Sequence, residues 1–200
     1  MKFEYEERLL SKGYDLVIGI DEAGRGPLAG PVVASAVALK RIDFNNKIAD
    51  SKKISARQRE KAFKEICENA SVGIGIINET VIDENNILKA TFFAMTNAVK
   101  QLISRLDNRY RRICLLVDGN KFETDLNYDY QTVVGGDTFV LSIACASIVA
   151  KVMRDRILVT YDKIFPEYGF RKHKGYPTLY HRQALRRYGP SIIHRKTFKY

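Results

Sequence analysis

Residues 16–39 have the sequence LVIGIDEAGRGPLAGPVVASAVAL, in which two apolar, β-rich runs flank a segment rich in glycine and proline. The first run covers residues 16–20 and the second covers residues 32–39. The Gly/Pro-rich segment at 24–31 suits a hairpin-type connection better than a helical crossover. We therefore predict that the two runs form antiparallel strands.

Strand-like and helix-like patterns then alternate along the rest of the chain. Further strands are predicted at 72–77, 113–117 and 132–134. Apolar spacing predicts helices at 55–70, 87–106, 141–164 and 178–188; Ser55 and Gln58 form a capping box, and Gly189-Pro190 stops the last helix. This order predicts a single α/β unit. Its mixed β-sheet is flanked by helices, begins antiparallel and grows by parallel strands through crossovers.

The composition of the 200-residue chain is globular, with 46% hydrophobic and 28% charged residues. Three widely spaced cysteines argue against a disulfide framework and against a structural zinc site. The longest nearly apolar run, residues 139–150, is too short to span a bilayer. Three glutamates at positions 4–7 do not resemble the basic start of a signal peptide. We expect a soluble, cytoplasmic monomer without a membrane partner.

Positive charge is concentrated at the carboxyl end of the chain. Nine of the 33 Lys and Arg residues and none of the 23 Asp and Glu residues lie in 171–200, so the first 170 residues have a net charge of only +1. Aromatic residues, among them Tyr176, Tyr180 and Tyr200, are interleaved with these cations. We interpret residues 168–200 as a basic helical extension that binds a polyphosphate partner such as nucleic acid. The alternative is a solvated basic tail.

Acidic residues adjoin two predicted strands. Asp21 and Glu22 follow the first strand, Asp118 follows the strand at 113–117, and Asp137 precedes the helix at 141. In open α/β sheets ligands bind at the carboxyl ends of strands, and carboxylates there suit Mg²⁺ or Mn²⁺. A single acid in such a position more often ends or caps an element. The combination of Asp21, Glu22 and Asp118 favours a metal site.

Other functional patterns fail on inspection. The segment from Gly19 to Gly26 starts like two phosphate-binding loops, but it lacks the Lys-Ser/Thr of one and the following helix of the other. Three histidines, His173, His181 and His194, lack the spacing of zinc ligands, which leaves structural or substrate-side roles.

Five sequence blocks, in this order, resemble the motifs of ribonuclease HII, the type 2 ribonuclease H. The resemblance covers about residues 14–198, and its first block is highly specific. The blocks are Gly19-Ile-Asp-Glu-Ala-Gly-Arg-Gly-Pro-Leu-Ala-Gly30, Asp50-Ser-Lys-Lys53, Asp118-Gly-Asn120, Ala146-Ser-Ile-Val-Ala-Lys-Val-Met-Arg-Asp155 and His173-Lys-Gly-Tyr-Pro-Thr178. The first predicted strand begins close to the start of the chain, so we expect no counterpart of the extra N-terminal domain of the related ribonuclease HIII.

This resemblance implies a ribonuclease H-like fold. It implies metal-dependent hydrolysis of the RNA strand of RNA–DNA hybrids, and incision 5′ of single ribonucleotides in duplex DNA to leave 3′-hydroxyl and 5′-phosphate ends. It also implies that a Gly-Arg-Gly segment and a tyrosine sense the 2′-hydroxyl group. The implied metal-binding and catalytic residues are Asp21, Glu22, Asp118 and Asp137, and the implied 2′-hydroxyl sensors are Gly24, Arg25, Gly26 and Tyr176.

Phosphodiester hydrolysis needs an activated water and relief of charge on the leaving oxygen, which two divalent ions bridged by a shared carboxylate can supply. We expect two Mn²⁺ or Mg²⁺ ions, with Asp21 as the bridge. Lys52, Lys53, Lys151 and Arg154 are interpreted as phosphate contacts that position the duplex, although Arg154-Asp155 could equally form an ion pair. Two alternatives remain, a non-catalytic RNA-binding protein and a junction resolvase of the same fold. The sequence identifies no docking protein such as a sliding clamp.

Overall fold

The computed structural model describes residues 3–106 and 110–199, so Tyr200 lies outside the described residues. Five strands form one sheet in the order β3-β2-β1-β4-β5. Their bounds are β1 Leu16–Ala23, β2 Val32–Leu39, β3 Ala70–Ile77, β4 Ile113–Asp118 and β5 Asp129–Val133. β1 pairs with β2 antiparallel, β2 with β3 antiparallel, and β1–β4 and β4–β5 pair parallel. The predicted mixed sheet, with an antiparallel start and parallel additions, is confirmed.

Seven helices accompany the sheet in the described part of the chain. Helices α2, α4, α5 and α7 correspond to the four predicted ones, and α2 starts with the predicted Ser55–Gln58 capping box. The short helices α1, α3 and α6 were not predicted, because each is too short to show an apolar period. The bounds are α1 Glu4–Leu10, α2 Ala56–Asn69, α3 Glu79–Asn85, α4 Ile87–Ile103, α5 Leu141–Ile164, α6 Phe170–His173 and α7 Leu179–Tyr188.

Helices cover both faces of the sheet, as expected for this class. On one face, Ile18 and Ile20 of β1 pack in one core with Met95 and Leu102 of α4. On the other face, α5 lies so close to β1 that a Cβ at Gly19 would be 2.2 Å from the backbone of Ser142. Only glycine permits this approach. It brings α5 against β1 two residues before Asp21.

Helix α1 holds the start of α5. Its Glu6 is buried, and its carboxylate Oε1 accepts a 2.7 Å hydrogen bond from the backbone N–H of Ser142. The α5 N-cap residue, Val140, has no side chain that can do this. An acid placed at a helix N-terminus satisfies a free N–H group and is stabilised by the helix dipole. The sequence hides this contact because 136 residues separate the two partners.

The basic C-terminal region is folded onto the body of the protein. Leu28 and Ala29 in the β1–β2 loop (residues 24–31) share a core with Leu158 of α5, Phe170 of α6 and Leu185 of α7. No helix within residues 3–106 and 110–199 is long and apolar enough to cross a membrane.

Candidate active site

Asp21 and Asp118 lie side by side at one edge of the sheet. Ile20 and Val117 are partners in the parallel β1–β4 pairing, so the next residue of each strand, Asp21 and Asp118, has its side chain on the same face. The sequence had indicated that both acids follow their strands. In the structure both belong to the strands: Asp118 is the last residue of β4, and Asp21 is near the end of β1. β1 continues to Ala23 because Asp21 and Glu22 pair with Ser35 and Ala34 of β2.

Asp137 approaches from a 3₁₀ turn, Gly136–Thr138, directly before α5. Its carboxyl is buried, and its pKa is raised first by burial and then by the charges of Asp118 and Asp50. Asp21, Glu22, Asp118 and Asp137, called the acid cluster below, therefore interact with one another across three separate elements.

The acid cluster is electrostatically unfavourable in the absence of cations. Burial, then the charges of Glu22 and Asp118, hold the pKa of Asp21 well above its usual value. Burial and the charge of Asp118 raise the pKa of Glu22, and Arg25 lowers it, with the result that it is above its usual value. Asp118 Oδ1 is buried and has no hydrogen-bond partner. Buried carboxylates that repel one another require a compensating positive charge.

This donor set fits a divalent cation in its chemistry. Carboxylate oxygens are the ligands of Mg²⁺ and Mn²⁺, and Asp118 Oδ1 is an oxygen without a partner. Within the described residues, no group of three or more His, Cys, Asp or Glu side chains is arranged so that it could hold a metal ion as it stands. The acids therefore adjoin one another without forming a ready-made coordination shell.

Three residues that support the acid cluster were not predicted from the sequence. Asp50 is buried, accepts a 2.9 Å hydrogen bond from Lys52 N–H, and raises the pKa of Asp137. The hydroxyls of Ser51 and Ser147 are 3.0 Å apart, and a hydrogen bond with Ser147 lowers the pKa of Asp21. For Asp50 and Ser51 the signal was present in the 50–53 block, where only the lysines were assigned a role, and for Ser147 it was present in the 146–155 block.

Two lysines, Lys52 and Lys53, face the acid cluster. Partial burial lowers the pKa of Lys52, but the charges of Asp137, Asp21, Asp50 and Asp118 raise it, and the result is a raised value. Lys53 Nζ is 4.0 Å from Asp50 Oδ2, and its side chain is 68% exposed. Both lysines therefore interact electrostatically with the acids, and each lowers the pKa of Asp137.

Gly24, Arg25 and Gly26 lie directly beyond β1. Arg25 Nη1 is 3.4 Å from Glu22 Oε1 and its side chain is half-exposed. A Cβ at Gly26 would be 3.8 Å from the Tyr176 ring, and Tyr176 is 42% exposed. The structure thus brings together the Gly-Arg-Gly segment and the tyrosine, which are 150 positions apart in the sequence.

Arg154 is not placed to contact phosphate, contrary to the sequence-based interpretation. It is 1% exposed, and its guanidinium donates to the carbonyls of Pro31, Ala29 and Lys174 at 2.9–3.0 Å. Nor does it pair with Asp155, which accepts instead from Lys151 Nζ at 2.6 Å. The Lys151 charge is thereby already matched by an acid, and burial lowers its pKa.

Arg195, one of the nine C-terminal cations, is also buried. It donates four hydrogen bonds to the carbonyls of Gly24, Arg25 and Gly30. Arg154 and Arg195, called the arginine clamp below, hold the β1–β2 loop by its backbone. Burial lowers the pKa of Arg154 to about 10 and that of Arg195 to about 9, so both remain charged at neutral pH.

A profile for the family "Ribonuclease HII" matches residues 18–200. The ribonuclease HII of Caldicellulosiruptor bescii is 46% identical over 197 residues, which cover 98% of this chain and 92% of that protein. The chain belongs to the ribonuclease HII family. Ribonucleases HII are metal-dependent endoribonucleases that act on RNA–DNA hybrids, which makes this chain a hydrolase of RNA phosphodiester bonds.

Solved structures show the same fold. The ribonuclease HII of Archaeoglobus fulgidus, solved in complex with PCNA, superposes with a TM-score of 0.70 at 22% identity, over 92% of this chain and 96% of that one. Bst ribonuclease HIII in complex with Mn²⁺ gives a TM-score of 0.68 at 15% identity, over 92% and 67%. The predicted ribonuclease H-like fold of this ribonuclease HII family member is confirmed.

Proposed function

We propose that this ribonuclease HII family member incises duplex DNA on the 5′ side of a single embedded ribonucleotide, leaving 3′-hydroxyl and 5′-phosphate ends. One segment of chain carries the proposal: residues 21–26 supply two carboxylates of the acid cluster and, at Gly26, the approach to Tyr176. Chemistry on a phosphate and contact with the adjoining sugar therefore come from the same stretch of backbone.

Asp21, Glu22, Asp118 and Asp137 would hold divalent cations, with room in the ligand set for two. Mn²⁺ is present in the solved ribonuclease HIII complex, and the acids here offer oxygen donors of the same chemical class. When bound, such ions supply an activated water and offset negative charge on the leaving oxygen. Asp21, which is buried on the central strand β1, would be the ligand shared between two ions.

The remaining residues would orient the substrate. The arginine clamp holds the backbone carbonyls of Gly24 and Arg25, directly before Gly26, so the free groups of this segment could meet a 2′-hydroxyl without rearrangement. That hydroxyl distinguishes a ribonucleotide from a deoxyribonucleotide. Tyr176 would stack on the sugar that follows, and Lys52, Lys53 and the exposed C-terminal cations would contact backbone phosphates.

The test compares four substrates in Mn²⁺ and in Mg²⁺: a DNA duplex with a single ribonucleotide, an RNA–DNA hybrid, an all-DNA duplex and an all-DNA four-way junction. We expect cleavage of the first two only, at the 5′ side of the ribonucleotide. Asp118→Asn should abolish cleavage while binding is retained, whereas Asp125→Asn, an exposed acid paired with Lys100, serves as the matched control. Cleavage of the junction, or of all-DNA duplex at a similar rate, would overturn the proposal.

A further inference from the structure

Three histidines of the C-terminal region form a cluster behind Tyr176. The rings of His173 and His181 are stacked with centroids 4.4 Å apart, and those of His181 and His194 are 5.2 Å apart. His181 and His194 are buried, and the Phe170 ring packs on all three. None of these side chains belongs to the acid cluster, so the cluster needs a separate explanation.

The hydrogen bonds determine which nitrogen of each ring holds the proton. The backbone N–H of Ser191 donates to His194 Nδ1 at 2.9 Å, which makes that nitrogen an acceptor. His194 Nε2 must therefore hold the proton, and it donates to His181 Nε2 at 3.0 Å. Because His181 Nε2 accepts this bond, the proton of the neutral His181 ring is on Nδ1. That nitrogen donates to the backbone carbonyl of Tyr176 at 2.9 Å.

The third ring obeys the same logic. The backbone N–H of Gly175 donates to His173 Nδ1 at 3.2 Å, so His173 Nε2 is protonated and donates to the carbonyl of Tyr168 at 2.7 Å. His173 and His181 each have one donor and one acceptor in use, whereas His194 Nδ1 also lies 2.8 Å from the hydroxyl oxygen of Ser191. An added proton on His173 or His181 would place a donor against another donor, which breaks a hydrogen bond.

The path from Ser191 through His194 and His181 to the Tyr176 carbonyl, called the histidine relay below, ends on a backbone that needs support. Lys174 has a positive φ of 53°, which side-chain-bearing residues rarely adopt. Gly175 has φ 82°, and its carbonyl accepts a 2.8 Å hydrogen bond from Leu28 N–H in the β1–β2 loop. The relay thus fixes the segment that sets Tyr176 against Gly26.

We propose that His181 is a positioning residue for Tyr176, and that the histidine relay holds the tyrosine at the ribonucleotide only while both of its rings, His181 and His194, are neutral. Acidification would release Tyr176 and with it the selectivity for single ribonucleotides. The link to selectivity rests on the proposed function, whereas the positioning of Tyr176 is a property of the free protein.

The surroundings keep the relay neutral at physiological pH. Burial, with the neighbouring imidazoles, lowers the pKa of both His181 and His194 to about 4. The charged groups facing His173 are Lys174, which lowers its pKa, and Asp162, which raises it, and the Tyr180 ring faces the same side. In the unfolded chain the pKa of a histidine is near 6.5, so between pH 6.5 and about 4 the unfolded state binds more protons than the folded state. The free energy of unfolding that the neutral rings contribute is therefore fully present above pH 6.5 and declines as the pH falls to about 4.

Two variants of nearly equal size separate positioning from packing. In His181→Asn the amide N–H₂ stands where Nδ1 was and can still donate to the Tyr176 carbonyl. In His181→Gln the longer side chain reaches the position of Nε2 and keeps only the contact to His194. We expect hydrogen exchange of the amides of residues 175–178 to be near wild type in the Asn variant and roughly tenfold faster in the Gln variant.

Cleavage should follow the same split. The Gln variant should lose about tenfold in kcat/KM on the single-ribonucleotide duplex, with a smaller loss on a continuous RNA–DNA hybrid, and the Asn variant should lose neither. Equal effects of the two variants, or losses that simply follow Tm, would overturn the positioning role. If Tyr176→Ala leaves the single-ribonucleotide duplex unaffected, the proposed function of Tyr176 fails, while the exchange result still decides the relay.

Wild-type protein provides a test that needs no variant. Nitrogen-15 NMR of the imidazoles should show the Nδ1–H tautomer at His181 and the Nε2–H tautomer at His173 and His194. Local opening of residues 175–178, corrected for intrinsic exchange rates, should increase as the pH falls from 6.5 toward 4. Any other tautomer at His181, or opening that is independent of pH, would contradict the relay.

Discussion

The acid cluster and the arginine clamp adjoin along the chain, and they treat buried charge in opposite ways. In the acid cluster, like charges face one another and Asp118 Oδ1 has no partner. In the arginine clamp, two buried guanidiniums donate seven hydrogen bonds to backbone carbonyls. One region is destabilised so that it can attract cations, and the other is rigid so that it can present a loop.

A second difference concerns the counter-charge. Burial raises the pKa of Glu79, at the start of α3, and the charges of both clamp arginines, Arg195 and Arg154, offset this only in part, so its pKa stays above the ordinary value. The clamp therefore has an acid of its own among the described residues, independent of any ligand. At the acid cluster, the cations that face the acids include Arg25 and Lys52, whose side chains are exposed rather than buried.

Breaking the clamp should have the largest effect on folding. Arg195→Met removes four hydrogen bonds and leaves buried carbonyls unpaired, and we expect the free energy of unfolding to fall by about 3 kcal/mol. Urea unfolding measures this, with Arg187→Met on the exposed face of α7 as the matched control. Arg195→Lys should be nearly as damaging, because a single ammonium cannot reproduce the fork of donors. A loss no greater than that of the control would refute the clamp.

Relieving the acid cluster should have the opposite sign. Asp118→Asn removes one of the charges that raise the pKa of Asp21, Glu22 and Asp137, so without divalent ions it should stabilise the protein by about 1 kcal/mol. Mn²⁺ should then raise the Tm of the wild type more than that of the variant, because binding stabilises only a protein that keeps the site. Destabilisation by Asp118→Asn in EDTA, with Asp125→Asn unchanged, would show that the cluster is not strained.

The two regions also differ in what the sequence could reveal. The acid cluster was predictable, because Asp21, Glu22 and Asp118 adjoin strands whose pairing follows from apolar patterns. The clamp was not, because a buried arginine and a phosphate-binding arginine look the same in a sequence. Arg154 and Arg195 were both assigned to phosphate. Their structural role is evident only from their carbonyl partners in the β1–β2 loop, which are more than 120 residues away in the sequence. These partners are Gly24, Arg25, Ala29, Gly30 and Pro31.

The same limit applied to the fold. Periodicity located most elements, and α5 begins and ends where predicted. The last strand, predicted at 132–134, instead spans Asp129–Val133, because its mostly exposed residues show no apolar pattern. The helix predicted to reach residue 106 ends at Ile103. Glu6 at the start of α5 and Asp50 beside Asp137 were missed, since each depends on a contact between distant segments and not on a local pattern.

The smallest expected effect concerns the cations that neither region uses. Arg186 and Arg187 on α7 are exposed, and deletion of the whole segment from residue 178 would remove Arg195 and so confound any binding measurement. The double variant Arg186→Gln/Arg187→Gln leaves the clamp intact. If both side chains contact phosphate, the slope of log K against log salt for duplex binding should fall by about 1.8, at about 0.9 per contact.

The matched control is Arg8→Gln/Arg111→Gln, two exposed arginines that precede β1 and β4 at the end of the sheet opposite the acid cluster. Equal slopes for the two double variants would remove α7 from the duplex-binding surface, whereas a reduced slope with unchanged cleavage-site selectivity would show that α7 contributes affinity and the clamped loop contributes recognition.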